Sequence, residues 1–354
     1  MELYRRLTLV EYRIFREFLF SSAVISAGNT YVDGDTVICR QFADYGVNLY
    51  LVLFRKEDVV LCSYLRIRVN LANFVGTKSR LKLFPLTAGS IDLFVGRMAS
   101  LLSVFPKGFD CLDDYRLARI DLTVDVRMSR SCRHFLIIMA NRCPIPRHWK
   151  RIKWFDAEGK KHKTSDHRVE IASSSRAVIL YDKAVQLERQ GIKDLDSAEA
   201  EGIMRFEVSL KAPYIRSVQS KFEFDDVVMR DSPAVFLYFL SRNGDEFFLK
   251  AMRKIFHDGD YHKLSSAFIK IAESRFLDGN KSKMKDFLKC SAVFKSAETA
   301  ASKLKDNTAK TMLFQMLDQL NVNPVIIPRR WEIDVCCSIP KILEIELSKD
   351  NEPA

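Results

Sequence analysis

The chain reads as an α+β fold, with a mainly antiparallel central sheet and packed helices followed by a helical C-terminal region. Three observations predict it. Short segments in the first 215 residues alternate apolar and polar side chains with the period of two that a half-buried strand requires. Between them lie stretches whose apolar residues recur every three or four positions, as one buried helix face demands. After Pro213 the alternation gives way almost entirely to helical spacing broken by Asn-Gly and Asp-Gly pairs.

The elements follow in order. Residues 48–54 and 59–69 predict a hairpin joined by the charged turn Arg55-Lys56-Glu57-Asp58. Ser90 is positioned to cap a helix whose buried face is Ile91, Phe94, Val95, Met98, Leu101, Leu102 and Phe105. A strand around Asp121 comes next, then a helix over 131–141 stopped by Pro144 and Pro146. Strands at 167–172 and 176–182, a charged helix over 183–200 and a strand around Glu207 complete the set. Two strand-helix-strand units on one sheet is the economical arrangement, and it leaves one sheet face open. Downstream, 233–251, 261–276, 282–293 and 298–320 predict helices, with turns at Asn243-Gly244, Asp258-Gly259 and Asp278-Gly279. An extended stretch over 324–335 and a helix or strand over 339–347 follow. The expected division is a domain over 1–215 and a mostly helical region over 216–354, which would bind DNA or a partner, or buttress the sheet.

Composition narrows the partners. A formal charge of +11 over 354 residues favours a polyanion. From Arg127 to Arg168, twelve Lys or Arg face three acidic residues. Within that stretch Trp149, Lys150, Arg151, Lys153 and Trp154 combine cations for phosphates with flat rings for unpaired bases. The competing reading is a solvated basic face whose tryptophans anchor the core. The eight cysteines show no Cys-x-x-Cys pair and no zinc-like spacing with histidine. The first residues have no signal-peptide architecture, and no apolar run reaches the 18 or so residues that span a bilayer. A cytoplasmic protein with no membrane partner is expected.

Three strand segments carry the candidate chemistry: Arg119-Ile120-Asp121, Leu180-Tyr181-Asp182-Lys183 and Arg205-Phe206-Glu207. If the strands are neighbours, Asp121, Tyr181 and Glu207 meet. Two carboxylates can hold a hard divalent cation, and a tyrosine beside it can attack a phosphodiester. A free tyrosine has a pKa of about 10, so Tyr181 needs help at neutral pH, for which Lys183 and a metal supply positive charge. Asp125 shares the face of Asp121 and is either a further ligand or a solvated strand-end acid. Arg119 and Arg205 can clamp phosphate oxygens. Glu170 and Asp182 are weaker candidate ligands.

The order and spacing of these motifs, with Lys211 and Tyr214 downstream, resembles the filamentous-phage gene II replication initiators. The resemblance runs over roughly residues 60–215 and fades in the last third. It implies a replication-initiator nuclease fold and rolling-circle nicking of one strand of an origin. It further implies a 5′-phosphotyrosine link through Tyr181 and later rejoining of the ends without ATP. Mg²⁺ or Mn²⁺ would be the cofactor, and duplex origin DNA and the displaced single strand the partners, with a host helicase or polymerase nearby. The His-hydrophobic-His metal motif of many rolling-circle initiators is missing, as is a phosphate-binding Gly-rich loop. Two other functions stay open: a non-catalytic DNA-binding replication or regulatory protein in which Tyr181 is structural, and a metal-dependent nuclease that activates water.

Overall fold

The computed structural model describes residues 1–349 except 27, 58, 78, 80, 153–166, 193–194, 223–229 and 305. In chain order the first elements are β1 (Glu2–Leu7), α1 (Leu9–Ser21), β2 (Thr30–Asp33), β3 (Thr36–Cys39), β4 (Val47–Lys56), β5 (Val59–Val69), α2 (Leu71–Phe74) and α3 (Ala88–Leu102). Then come β6 (Arg116–Arg127), α4 (Arg130–Arg142), β7 (Lys150–Arg151), β8 (Arg168–Ala172), β9 (Arg176–Asp182), α5 (Lys183–Arg189), α6 (Leu195–Glu199), β10 (Ile203–Lys211) and α7 (Ala212–Gln219). The remainder is α8 (Pro233–Ile255), β11 (Asp260–Lys263), α9 (Leu264–Glu273), α10 (Asp278–Phe294), α11 (Ala297–Ser302), α12 (Asn307–Gln319), β12 (Val322–Ile327), β13 (Val335–Cys336) and α13 (Ile339–Lys349). The chain forms two compact units of two segments each: Met1–Leu122 with Ser209–Gly244, and Thr123–Val208 with Asp245–Ala354. The strands β6 and β10 each contribute residues to both.

In the first unit the strand order is β2-β3-β4-β5-β1-β6-β10, and the pairs β2–β3, β3–β4, β4–β5, β5–β1 and β1–β6 are antiparallel. The period of two decides which face is buried. Leu3 and Leu7 on β1, Leu49, Leu51 and Leu53 on β4, and Leu65, Ile67 and Val69 on β5 form the core face. Against it α1 brings Phe15 and Leu19, and the Phe15 ring meets Phe105 and Phe109. Each such side chain taken from water contributes about 1.5–3 kcal/mol. Thr8 starts α1 through a reciprocal capping box with Glu11.

The second unit holds the order β6-β10-β9-β8-β7 and a separate sheet β12-β11-β13. Helix α4 packs on β8, β9 and β12, so it lies between these two sheets of the unit. Its buried Phe135 meets Tyr261 of β11 and Trp331. One charge is carried into this layer: Arg133, 3% exposed, donates from Nε to Asp182 Oδ2 at 2.6 Å and from Nη2 to Glu201 at 2.9 Å. Asp182 Oδ1 accepts from the backbone N–H groups of Ala184 and Val185, which ends β9 and starts α5.

Several local expectations are corrected. Thr87, not Ser90, caps α3, and Ser90 supplies the N–H that is capped. The helix expected over 183–200 is two, α5 and α6, because Gly191 at φ +72° turns the chain. Asn243-Gly244 lies inside α8, where the Asn243 side chain donates to the Phe239 carbonyl rather than opening a turn. Residues 260–263 are strand rather than helix because β12 pairs beside them. That approach is close enough that a Cβ on Gly259 would lie 2.5 Å from the Val322 carbonyl carbon. Asp278-Gly279 opens α10 instead of separating helices, and the helix expected over 298–320 is divided at Asp306, whose side chain caps α12.

Removing one partner of a buried ion pair leaves an uncompensated charge that costs about 3–5 kcal/mol. Asp182→Ala also removes the cap of α5, so its unfolding midpoint in urea should fall by the equivalent of at least about 3 kcal/mol. A loss under about 1 kcal/mol would contradict the role assigned to the pair.

Candidate active site

On β9 the side chains alternate, so Tyr181 and Asp182 point to opposite faces. Asp182 faces α4 and is engaged by Arg133. Tyr181 faces the other way and meets β10 and β8. Its hydroxyl donates to Glu207 Oε1 at 2.6 Å, and the Arg205 guanidinium is hydrogen-bonded to the same hydroxyl. Arg168, directly opposite Tyr181 in the β8–β9 register, places its guanidinium carbon 5.6 Å from the centre of the ring. Arg168 also donates to Glu170 Oε2 at 2.9 Å.

Arg205 is itself held. Its Nε and Nη2 donate to the two carboxylate oxygens of Asp125, both at 2.7 Å, a bidentate pair that fixes the guanidinium plane. Burial is a cost to this arginine, but the Asp125 carboxylate outweighs it and raises its pKa. The Tyr181 pKa is pushed well above the ordinary tyrosine value, first by burial, then by the charge of Glu207, with Arg205 opposing. The resting group is therefore a neutral phenol whose proton points at a carboxylate.

In the first unit, Asp121 Oδ1 accepts from Arg119 Nε at 2.7 Å and from the Ser209 hydroxyl. Lys183, expected beside the nucleophile, opens α5 and donates from Nζ to Gln186 Oε1 at 2.8 Å. Trp149 is 8% exposed and lies under the Arg176 guanidinium at 5.6 Å from its ring centre. Arg151 donates to the carbonyls of Ala140 and Cys143 at the end of α4, and Lys150 is exposed on the edge strand β7. Lys153 and Trp154 lie outside the described residues. Of the residues singled out from the sequence, Tyr181, Glu207, Arg205, Asp125 and Glu170 lie together, and the geometry adds Arg168. A signal for Arg168 was present: Arg168-x-Glu170 repeats the Arg-x-acid spacing of the other two strands.

Carboxylate oxygens are the donors that Mg²⁺ or Mn²⁺ prefers. As arranged, however, both Asp125 oxygens face Arg205, and Glu207 Oε1 faces the Tyr181 hydroxyl. Among the described residues no group of three or more His, Cys, Asp or Glu converges to hold a metal ion. The chemistry these side chains offer directly is that of a carboxylate base beside a phenol and two guanidiniums. Nor is any helix among the described residues long and apolar enough to cross a membrane.

No family model and no curated protein matches the chain. Among solved structures it is similar to the rolling circle replication initiator protein from Geobacillus stearothermophilus, at 11% identity over 72% of this chain and 82% of that one, with a TM-score of 0.31. At that score the likeness does not establish a common fold.

The raised Tyr181 pKa has a pH signature. Its native state keeps the phenol proton more tightly than the unfolded chain does, so the stability this group contributes is complete below the unfolded pKa of about 10 and is lost as pH rises above it. Tyr181→Phe should therefore lose less stability than wild type between about pH 9 and pH 11 in urea titrations. Parallel losses in the two proteins would remove the buried-phenol assignment.

Proposed function

We propose that the chain is a replication initiator of the rolling-circle type, which nicks one DNA strand and later rejoins it through Tyr181. The observation that carries this reading is the hydrogen bond from the Tyr181 hydroxyl to Glu207 Oε1 at 2.6 Å beside Arg205. A tyrosine with a raised pKa is a poor nucleophile unless a base removes its proton during attack, and Glu207 is placed to do so. The Tyr181 oxygen bonds to phosphorus, its proton passes to Glu207, and the bond from phosphorus to the 3′-oxygen breaks. That oxygen leaves as a hydroxyl, taking the proton back, and the 5′-phosphate stays on Tyr181. The reverse step, attack of a 3′-hydroxyl on the phosphotyrosine, joins ends without ATP. Arg205 and Arg168 place positive charge where the phosphorane oxygens gather it. Duplex origin DNA and the displaced strand are the proposed substrates, with a host helicase or polymerase acting on the opened product.

A second reading has its own observation, since Tyr181 is only 4% exposed. On it, the Tyr181–Glu207 pair is a strut and the chain is a DNA-binding replication protein without a covalent step.

The deciding experiment incubates the protein with 3′-labelled single-stranded oligonucleotides tiling its replicon, followed by a denaturing gel. Wild type should give label migrating with protein, and Tyr181→Phe should abolish it while leaving DNA affinity within about twofold. Glu207→Gln should slow adduct formation by more than about tenfold, the effect of losing some 1.4 kcal/mol of transition-state stabilisation. Adduct at the wild-type rate in the Phe variant would refute the nucleophile, and binding without any adduct would favour the second reading. Running the assay in Mg²⁺, in Mn²⁺ and in EDTA separates catalysis by these groups alone from catalysis that needs a divalent ion.

A further inference from the structure

The first unit's sheet has a second face, opposite the leucines and isoleucine of its core. Strand β1 contributes Tyr4 and Arg6 to it, β5 contributes Tyr64 and Arg66, and Tyr50 of β4 completes a row. The registers set Tyr4 opposite Arg66 on one side and Tyr50 opposite Arg66 on the other, with Arg6 opposite Tyr64. Arg68, two residues along β5, places its guanidinium carbon 5.3 Å from the Tyr50 ring centre, and Arg66 lies 5.5 Å from that of Tyr64. Tyr4, Tyr50, Tyr64 and Arg66 are half-buried, and Arg6 and Arg68 are exposed. The acid opposite this row is Glu2, which pairs with Arg68 at 2.9 Å.

Half-buried tyrosines offer a ring surface at small entropic cost, and guanidiniums between them neutralise phosphates and stack in their own right. An antiparallel face carrying both, with Arg6 and Arg68 exposed, is suited to an unpaired strand, whose bases can splay onto rings. A duplex keeps its bases inside and presents no ring face to the tyrosines. We infer that this face of β4, β5 and β1 binds single-stranded nucleic acid without sequence preference, the arginines tracking the backbone and the tyrosines stacking on bases. The inference deepens the nicking reading by naming a surface for the displaced strand. It concerns residues other than Tyr181 and is read by binding alone, so either reading can fail without the other.

The test uses fluorescence anisotropy of the full chain with a labelled 20-nucleotide oligothymidylate, and with a duplex of the same length. Wild type should bind the single strand more tightly than the duplex. Tyr50→Ala or Tyr64→Ala should weaken single-strand binding by at least about fivefold, the smaller end of one lost base–aromatic stack. Arg6→Gln, an exposed position, should instead lower the slope of log K against log salt by about 0.7 for one phosphate contact. Ultraviolet crosslinking of the wild-type protein to the oligothymidylate needs no variant and should place crosslinked peptides in 2–7, 47–56 or 59–69. Equal binding of duplex and single strand would overturn the inference. So would an unchanged slope in Arg6→Gln, or crosslinks confined to other segments. Tyrosine variants that lower the melting temperature and bind as wild type would also overturn it, leaving the ladder as ordinary cross-strand packing.

Discussion

The position of the candidate nucleophile depends on Asp182, the residue after it. One carboxylate accepts Arg133 from α4 and two backbone N–H groups from the start of α5. Strand β9 must end there, and its pleat must present Asp182 to the helix. With the period of two, Tyr181 is then committed to the opposite face, against Glu207 and Arg205. A slip of one residue would place a phenol in the helix layer and bury a carboxylate against another carboxylate. The ion pair is therefore a device of register before it is a source of stability, in keeping with the modest net value of buried pairs against apolar packing.

Within each unit, charge is balanced strand by strand. Arg119 pairs with Asp121 and Arg168 with Glu170, each two residues along its own strand, whereas Arg205 reaches across to Asp125. The crossing leaves Glu207 Oε1 to the Tyr181 hydroxyl. The same arginine that is tied to Asp125 also touches the phenol, so on the proposed mechanism a phenolate formed by loss of the proton to Glu207 would face a fixed cation.

Much of this was legible in the sequence. The hairpin of β4 and β5 and the strand β8 follow from alternation, because each buries every second residue, whereas β9 is buried on both faces and is marked by its apolar run, and α4 by the prolines that stop it. The motif residues Tyr181, Glu207 and Arg205 were nameable from their Arg-x-acid and Tyr-x-Lys settings, and Asp125 from sharing a strand face with Asp121. What was not legible is pairing. That Arg205 reaches Asp125 on another strand and that Arg151 closes the end of α4 are outcomes of strand order, which local patterns do not encode. Strand β11 was hidden for the same reason: Asp260–Lys263 is polar and short, and only β12 and β13 beside it make it a strand. Strand β1 carries only a weak mark, since Arg5 interrupts the face of Leu3 and Leu7, whereas the Thr8-x-x-Glu11 box marks the start of α1 clearly.

The interleaving of the two units bears on how the chain acquires its structure during synthesis. The unit that begins at Met1 is completed by Ser209–Gly244, so its first 122 residues emerge well before the segment that finishes their sheet. Through that interval the edge of β6 that β10 will occupy has open hydrogen-bonding groups, the condition under which strands recruit wrong partners. Contacts between segments this far apart in sequence also raise contact order, which slows closure of the nucleus. Expression of the N-terminal half by itself would make that transient exposure permanent. Ending the chain where its motifs end would leave both units without their second segments, Ser209–Gly244 and Asp245–Ala354.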